Sequence, residues 1–191
     1  MKIQFSRIEL RDLGKAWLLT SVAFALAMVG FNTSLYVAIP VALVTGGLGM
    51  ILHELMHKIT AAHFGYHSEF RSFDVMLVVS VIIAAFGVVF LAPGAVFLGA
   101  HAVDFRKNGF IAWAGPATNI ALALLFVPLL PFLGSIAVFG FMINSWLGMF
   151  NLIPFMGLDG VKVLAWNPKV FWGTAIVAVA LVFCGYFFLG A

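Results

Sequence analysis

Charge is what this chain has least of. Asp, Glu, Lys and Arg make up 9% of its 191 residues, against roughly 25% in a soluble globular domain. With 64% hydrophobic residues and a mean hydropathy of +1.15, a water-soluble fold is excluded. One cysteine, Cys184, excludes an internal disulfide; inside an apolar run it reads as a small packing residue. Internal repeats and low-complexity linkers are also missing, so residues 1–191 read as a single domain. The net charge of +3 is not a nucleic-acid signal, because Lys and Arg fall in short connections between apolar runs, where they mark one side of a membrane. What remains is an all-α polytopic membrane protein with the lipid bilayer as its solvent and no nucleic-acid partner.

A span needs about 20 apolar residues to cross about 30 Å of hydrocarbon. Apolar runs occupy Ala16 to Phe31, Leu35 to His57, Phe73 to Val103, Gly109 to Pro131, Gly134 to Leu158 and Val170 to Gly190, about six membrane segments in all. Met1 to Lys15 is a polar, net basic leader, and no small-residue cleavage site closes the run after it, so the first run reads as a retained span. Every Lys and Arg lies in the leader, in Lys58 to Arg71, in Arg106 to Lys107 or in Lys162 to Lys169. The connections at Asn32 to Ser34 and Pro131 to Ser135, and the terminal Gly190-Ala191, carry no charge. With a cytoplasmic leader, the second run ends on the cytoplasmic side. Keeping Arg106 and Lys107 there as well requires Phe73 to Val103 to dip in and return. Pro93 and Gly94 in "LAPGAV" supply the break, which predicts a helix from Phe73 to about Leu91 and a re-entrant or β-like segment near 92–103. The alternative is one ordinary span with Arg106 and Lys107 outside.

Against this background "ILHELMHKI" places three ionisable groups in a greasy run. His53 and His57 are i and i+4, so on a helix both imidazoles reach one metal ion. Glu54 is turned about 100° away from His53, close enough to touch a metal-bound water without ligating the metal. This H-E-x-x-H arrangement is the zinc metalloprotease signature, with the glutamate as general base. Ionisable residues inside a span are costly and mark function.

A catalytic zinc keeps three protein ligands and an open position, so a third ligand is required. His63 lies six residues after His57, but Thr60 stands where a glycine would have to break the helix. On a continuous helix His63 falls about 9 Å further along the axis and cannot reach the metal. His67 and His101 read as interfacial or loop histidines. Asp159, in "NLIPFMGLDG", is the better candidate: it ends the fifth run on the same face as His53 and His57, and Pro154 and Gly157 free the backbone to aim its carboxylate inward.

"HELMHKITAAHFG" with "NLIPFMGLDG" resembles the site-2 protease family of intramembrane zinc metalloproteases, and "GPATN" at Gly115 to Asn119 resembles the G-P-x-x-N of that family's core helix. The resemblance covers about residues 35–163 and implies a three-helix catalytic core. It also implies one Zn2+ per chain on His53, His57 and Asp159, with Glu54 as the catalytic base. The chain has no room for a PDZ or CBS domain and so resembles the minimal branch. The implied reaction is hydrolysis of a transmembrane protein or peptide substrate by a zinc-activated water, with the active site towards the cytoplasm. Asn151 and Asn119 are candidate donors to the oxyanion.

A helical substrate must unwind to be cut, and the return segment Gly94 to Ala100, in particular Gly94, Ala95, Val96 and Phe97, is a candidate edge strand to pair with it. Trp17, Trp113, Trp166 and Trp172 lie near span ends and read as interface anchors. Two rival classes are a zinc-binding membrane transporter, which should show further polar ligands along neighbouring spans, and a non-catalytic peptide-binding relative, which would tend to lose Glu54. Other membrane zincins use a downstream glutamate as third ligand, and none follows Glu69 here.

Overall fold

A computed structural model describes residues 3–99, 103–155 and 157–189. The first helix, α1 (Arg7–Val29), starts well inside the expected polar leader because the Ser6 hydroxyl accepts from the Glu9 N–H at 3.1 Å and caps it. One face of its first two turns is packed: Glu9, Asp12 and Leu13 are buried, while Ile8 and Leu10 are exposed. Glu9 takes Lys58 Nζ at 2.9 Å and accepts from the Phe70 N–H at 3.0 Å. Lys58 donates in turn to the Ser68 carbonyl at 2.6 Å.

The second span is interrupted: α2 (Leu35–Ala42) passes through a wide π turn at Leu43–Gly47 into α3 (Leu48–His63). Pro40 has no N–H to give, and a turn later the ladder widens. The Leu43 carbonyl in this turn accepts from Trp17 Nε1 at 2.9 Å, so Trp17 ties α1 to the second span.

Next come β1 (Ser68–Ser72), α4 (Asp74–Ala84) and β2 (Gly94–Leu98). The expected helix to Leu91 is corrected: α4 stops at Ala84, spans only about 16 Å, and gives way to an irregular segment before β2. Residues 85–90 are as apolar as those before them, so hydropathy does not mark the stop. The dip and return is therefore the path the chain takes, and its return is a strand. β2 pairs antiparallel with β1, Ser68 opposite Leu98 and Ser72 opposite Gly94. Gly99 N–H donates to the His67 carbonyl and Phe73 N–H to the Pro93 carbonyl. Residues 93, 95, 97 and 99 thus face β1, and the N–H groups of Gly94, Val96 and Leu98 point to the open edge.

The remaining spans are α5 (Phe105–Phe126), extended through a short 3₁₀ turn into α6 (Leu130–Leu133), then α7 (Ser135–Asn151), α8 (Asp159–Trp166) and α9 (Pro168–Phe188). Four helical stretches are long and apolar enough to cross a membrane, Arg7–Val29, Leu35–His63, Phe105–Leu133 and Pro168–Phe187, while α4 and α7 are shorter apolar helices. This is an all-α membrane protein with one small two-stranded sheet. At its centre α5 packs against α3, α7 and α8; α1 covers α2, α4 and β1, and α9 closes over α7 and α8. Phe24, Ala42, Ala84 and Leu147 fill the core between α1, α2, α4 and α7. Cys184 is on the exposed surface of α9, which corrects its reading as a packing residue. Trp113 donates to Thr174 Oγ1 at 2.9 Å and pins α5 to α9, a helix contact rather than a bare interface anchor.

Candidate metal centre

His53 and His57 project from one face of α3 with ring centroids 4.7 Å apart and planes at 86°. Asp159 arrives from 102 residues beyond His57 by a local device. The last turn of α7 ends at Asn151, Pro154 prevents its continuation, and α8 begins at Asp159 itself. Only glycine fits at position 160, because a Cβ there would strike the Leu152 carbonyl. The end of α7 and the start of α8 consequently lie against each other and hold the Asp159 carboxylate under the two rings. Its Oδ2 is 3.2 Å from His53 Nε2 and 3.1 Å from His57 Nε2. All three side chains are buried, and their candidate ligand atoms lie within 4.8 Å of one another.

Hydrogen bonding on the far side of each ring sets its protonation. His57 Nδ1 is 2.7 Å from the Ile111 carbonyl, and His53 Nδ1 is 2.6 Å from Asn119 Oδ1. Both partner atoms accept only, so each Nδ1 carries the hydrogen, and in the neutral ring each Nε2 presents a lone pair. Two lone pairs and a carboxylate oxygen then converge with no hydrogen between them, an arrangement that a cation neutralises. The N···O separations also suit one: tetrahedral ligands ~2.0 Å from a zinc ion stand roughly 3.3 Å apart. Gly115 of α5 leaves the space free. A Cβ there would lie 2.5 Å from both His53 Nε2 and His57 Nε2.

Glu54 does not join the cluster. Its Oε2 is buried and, among the described residues, has no hydrogen-bond partner. A buried carboxylate oxygen without a partner is costly, and Glu54 lines a cavity of about 950 Å³ together with the three candidate ligands. Gly94 to Leu98 of β2 form one wall of that cavity, and Trp146 and Asn151 of α7 form another.

The other candidates fall apart from these. Asn151 lines the cavity and gives one amide hydrogen to Leu147 O at 3.0 Å, with no partner for the second among the described residues. Asn119 has no free donor: its Nδ2 serves the Gly49 carbonyl at 3.2 Å and Asn144 Oδ1 at 3.1 Å. The expectation of an oxyanion donor there is corrected, since its oxygen and both hydrogens are engaged in the core. His63 ends α3 and His67 precedes β1, both outside the cluster of candidate ligands; His101 and Ala100 lie outside the described residues.

Sequence reasoning missed the groups behind the ligands: the Ile111 carbonyl, Asn144 and Lys162, whose Nζ is 3.9 Å from Asp159 Oδ1. A backbone carbonyl leaves no sequence signal. Asn144 does leave one, as an asparagine in an apolar run two turns before Asn151 and therefore on the same helix face.

Comparison with known proteins agrees with this chemistry. A protein of Methanocaldococcus jannaschii named "Putative zinc metalloprotease MJ0611" is 38% identical over 186 residues, covering 94% of this chain and 93% of the relative. A second, "Putative zinc metalloprotease Rip2" of Mycolicibacterium smegmatis, is 31% identical over 198 residues, covering 85% of this chain and 76% of the relative. No family model matches. No solved structure matches either.

Proposed function

The chain belongs to the site-2 protease family of zinc metalloproteases, and we propose that it hydrolyses peptide bonds of transmembrane substrates within the membrane. Residues 1–191 are assigned to one transmembrane protease domain, with the catalytic core in about 35–163. One zinc ion per chain is assigned to His53, His57 and Asp159, whose three converging electron-pair donors fit it. When bound, zinc lowers the pKa of a water towards ~7 and polarises a carbonyl.

The observation that carries the reading is Glu54, which lines the cavity beside that donor set with its buried Oε2 unpartnered among the described residues. In this reading Glu54 takes the proton of the attacking water and returns it to the leaving amine. Asn151 offers its second amide hydrogen to the oxyanion. Asn119 and the Ile111 carbonyl hold the two imidazoles with Nε2 turned to the cavity. The substrate unwinds and lays an extended stretch along the open edge of β2, where Gly94, Val96 and Leu98 present N–H groups.

The site faces the cytoplasm, because the basic residues of α1, β1, α5 and α8 gather at the end of the bundle where α3 finishes. Transport of zinc is disfavoured, since a single three-ligand cluster, not a line of them, is found among the described residues.

The test is purification with single-span substrates, comparing wild type with Glu54→Gln and Asp159→Ala. Glu54→Gln should keep zinc and lose roughly 10²–10⁴-fold in cleavage rate; Asp159→Ala should lose zinc. Undiminished cleavage by Glu54→Gln would remove Glu54 as the base.

A further inference from the structure

Asn144 is entirely buried at the middle of α7, is neither a candidate ligand nor one of the residues lining their cavity, and has no part in the chemistry above. We infer that it is a positioning residue for His53, acting through Asn119. The inference rests on the metal-centre reading and extends it by one step.

The directions of four hydrogen bonds carry the argument. Asn144 Nδ2 donates to the carbonyl of Gly140 on its own helix at 2.9 Å, which turns Asn144 Oδ1 outward to α5. That oxygen accepts from Asn119 Nδ2 at 3.1 Å. The Gly49 carbonyl of α3 accepts from the same nitrogen at 3.2 Å. With two acceptors on its amide side, Asn119 must turn its oxygen to His53 Nδ1, 2.6 Å away. An asparagine amide can be flipped end for end at almost no steric cost, and a flipped Asn119 would aim N–H at His53 Nδ1. The ring would then carry its hydrogen on Nε2, where the metal must bind. Asn144 blocks that flip, because Asn119 Oδ1 would stand against Asn144 Oδ1 and the Gly49 carbonyl with no hydrogen between them. A backbone carbonyl of α7 thus selects the tautomer of a ligand on α3 through two asparagines.

The three helices are packed closely enough for the chain to be rigid. A Cβ on Gly49 would strike Asn144 Oδ1, so α3 and α7 meet where the asparagine sits. The bland alternative is that Asn144 only glues helices together. Glue and positioning differ in what they move: glue changes the stability of the metal-free protein, whereas positioning changes zinc affinity.

The experiment measures zinc dissociation constants by competition with a chelator, and unfolding of the metal-free protein, for wild type, Asn144→Leu, Asn144→Asp, Asn119→Leu and the double variant Asn119→Leu/Asn144→Leu. Outer partners of a metal-binding histidine typically govern affinity by roughly 10–100-fold. Asn144→Leu should weaken zinc about tenfold, at the lower end of that range. Asn144→Asp, which keeps an oxygen where Oδ1 stands, should restore most of the affinity. Adding Asn144→Leu to Asn119→Leu should cost nothing more. Affinity unchanged in Asn144→Leu, or effects that simply add in the double variant, would overturn the inference while leaving the metal centre intact. If Asn144→Leu does not fold, Gly49→Ala perturbs the same oxygen from α3 and must weaken zinc for the inference to stand. A wild-type protein that binds no zinc would overturn the metal-centre reading and this inference together.

Discussion

Gly115→Ala adds one methyl group to a residue that is no ligand and carries no charge, yet it should empty the metal centre. The added Cβ would stand 2.5 Å from the Nε2 atoms of both histidines, whereas ordinary van der Waals contact begins at 3.4 Å. Relieving the clash requires the rings to retreat by about 0.9 Å, and metal–ligand distances tolerate about 0.2 Å. The methyl also lies against both rings at once, so moving one ring alone does not help. Loss of zinc affinity should exceed the roughly 10–100-fold seen when a supporting residue is removed. The fold should survive, because alanine is favoured over glycine in a helix interior by about 1 kcal/mol. Zinc content after purification and a chelator competition read the effect directly, and helical circular dichroism in detergent confirms folding. Gly173→Ala on α9 is the matched control, since nothing lies within 4 Å of its Cβ position. A Gly115→Ala protein that is folded, binds zinc as tightly as wild type and cleaves substrate would refute the placement of the metal between His53, His57 and Asp159.

Glu9→Gln should destabilise the protein by about 3–5 kcal/mol, because it strands the buried Lys58 ammonium beside a neutral partner; denaturant titration in mixed micelles measures this, and Glu9→Gln/Lys58→Met should recover a large part. Val96→Pro removes an N–H that points to the open edge of β2 and none that bonds β1, so cleavage should drop at least about tenfold while zinc content stays at the wild-type level; retained cleavage would exclude strand pairing by the substrate. Treatment with a chelator should abolish cleavage and added zinc should restore it, with failure of restoration pointing to a different metal or a collapsed site.

Much of this architecture is legible in the chain because it is local. The spacing of His53 and His57 converts into a shared helix face through the helix repeat alone, and Pro93-Gly94 announces a return segment because proline ends a helix and glycine turns the backbone. The strand itself needs β1 as a partner, which hydropathy does not reveal. Pro154 and the approach allowed by Gly160 bring Asp159 to α3, and the "NLIPFMGLDG" pattern carries both residues. What was not legible is long-range or made of backbone. The Ile111 carbonyl behind His57 has no side-chain signature. The Asn144 to Asn119 to His53 chain joins three helices whose pairing follows only from packing. The N-terminal fifteen residues read as a polar, net basic leader because composition reports polarity, whereas Glu9 and Asp12 are buried and take partners from distant segments.

The Glu9–Lys58 pair also imposes an order on synthesis. Lys58 and the Phe70 N–H, the two donors that satisfy Glu9, are 49 and 61 residues further along the chain. While the first helix is being delivered to the bilayer, its acid therefore has only water or lipid headgroups to bond. Burial of that carboxylate is costly without its partners. The start of α1 therefore reaches its final packing only once the end of α3 and β1 have been made.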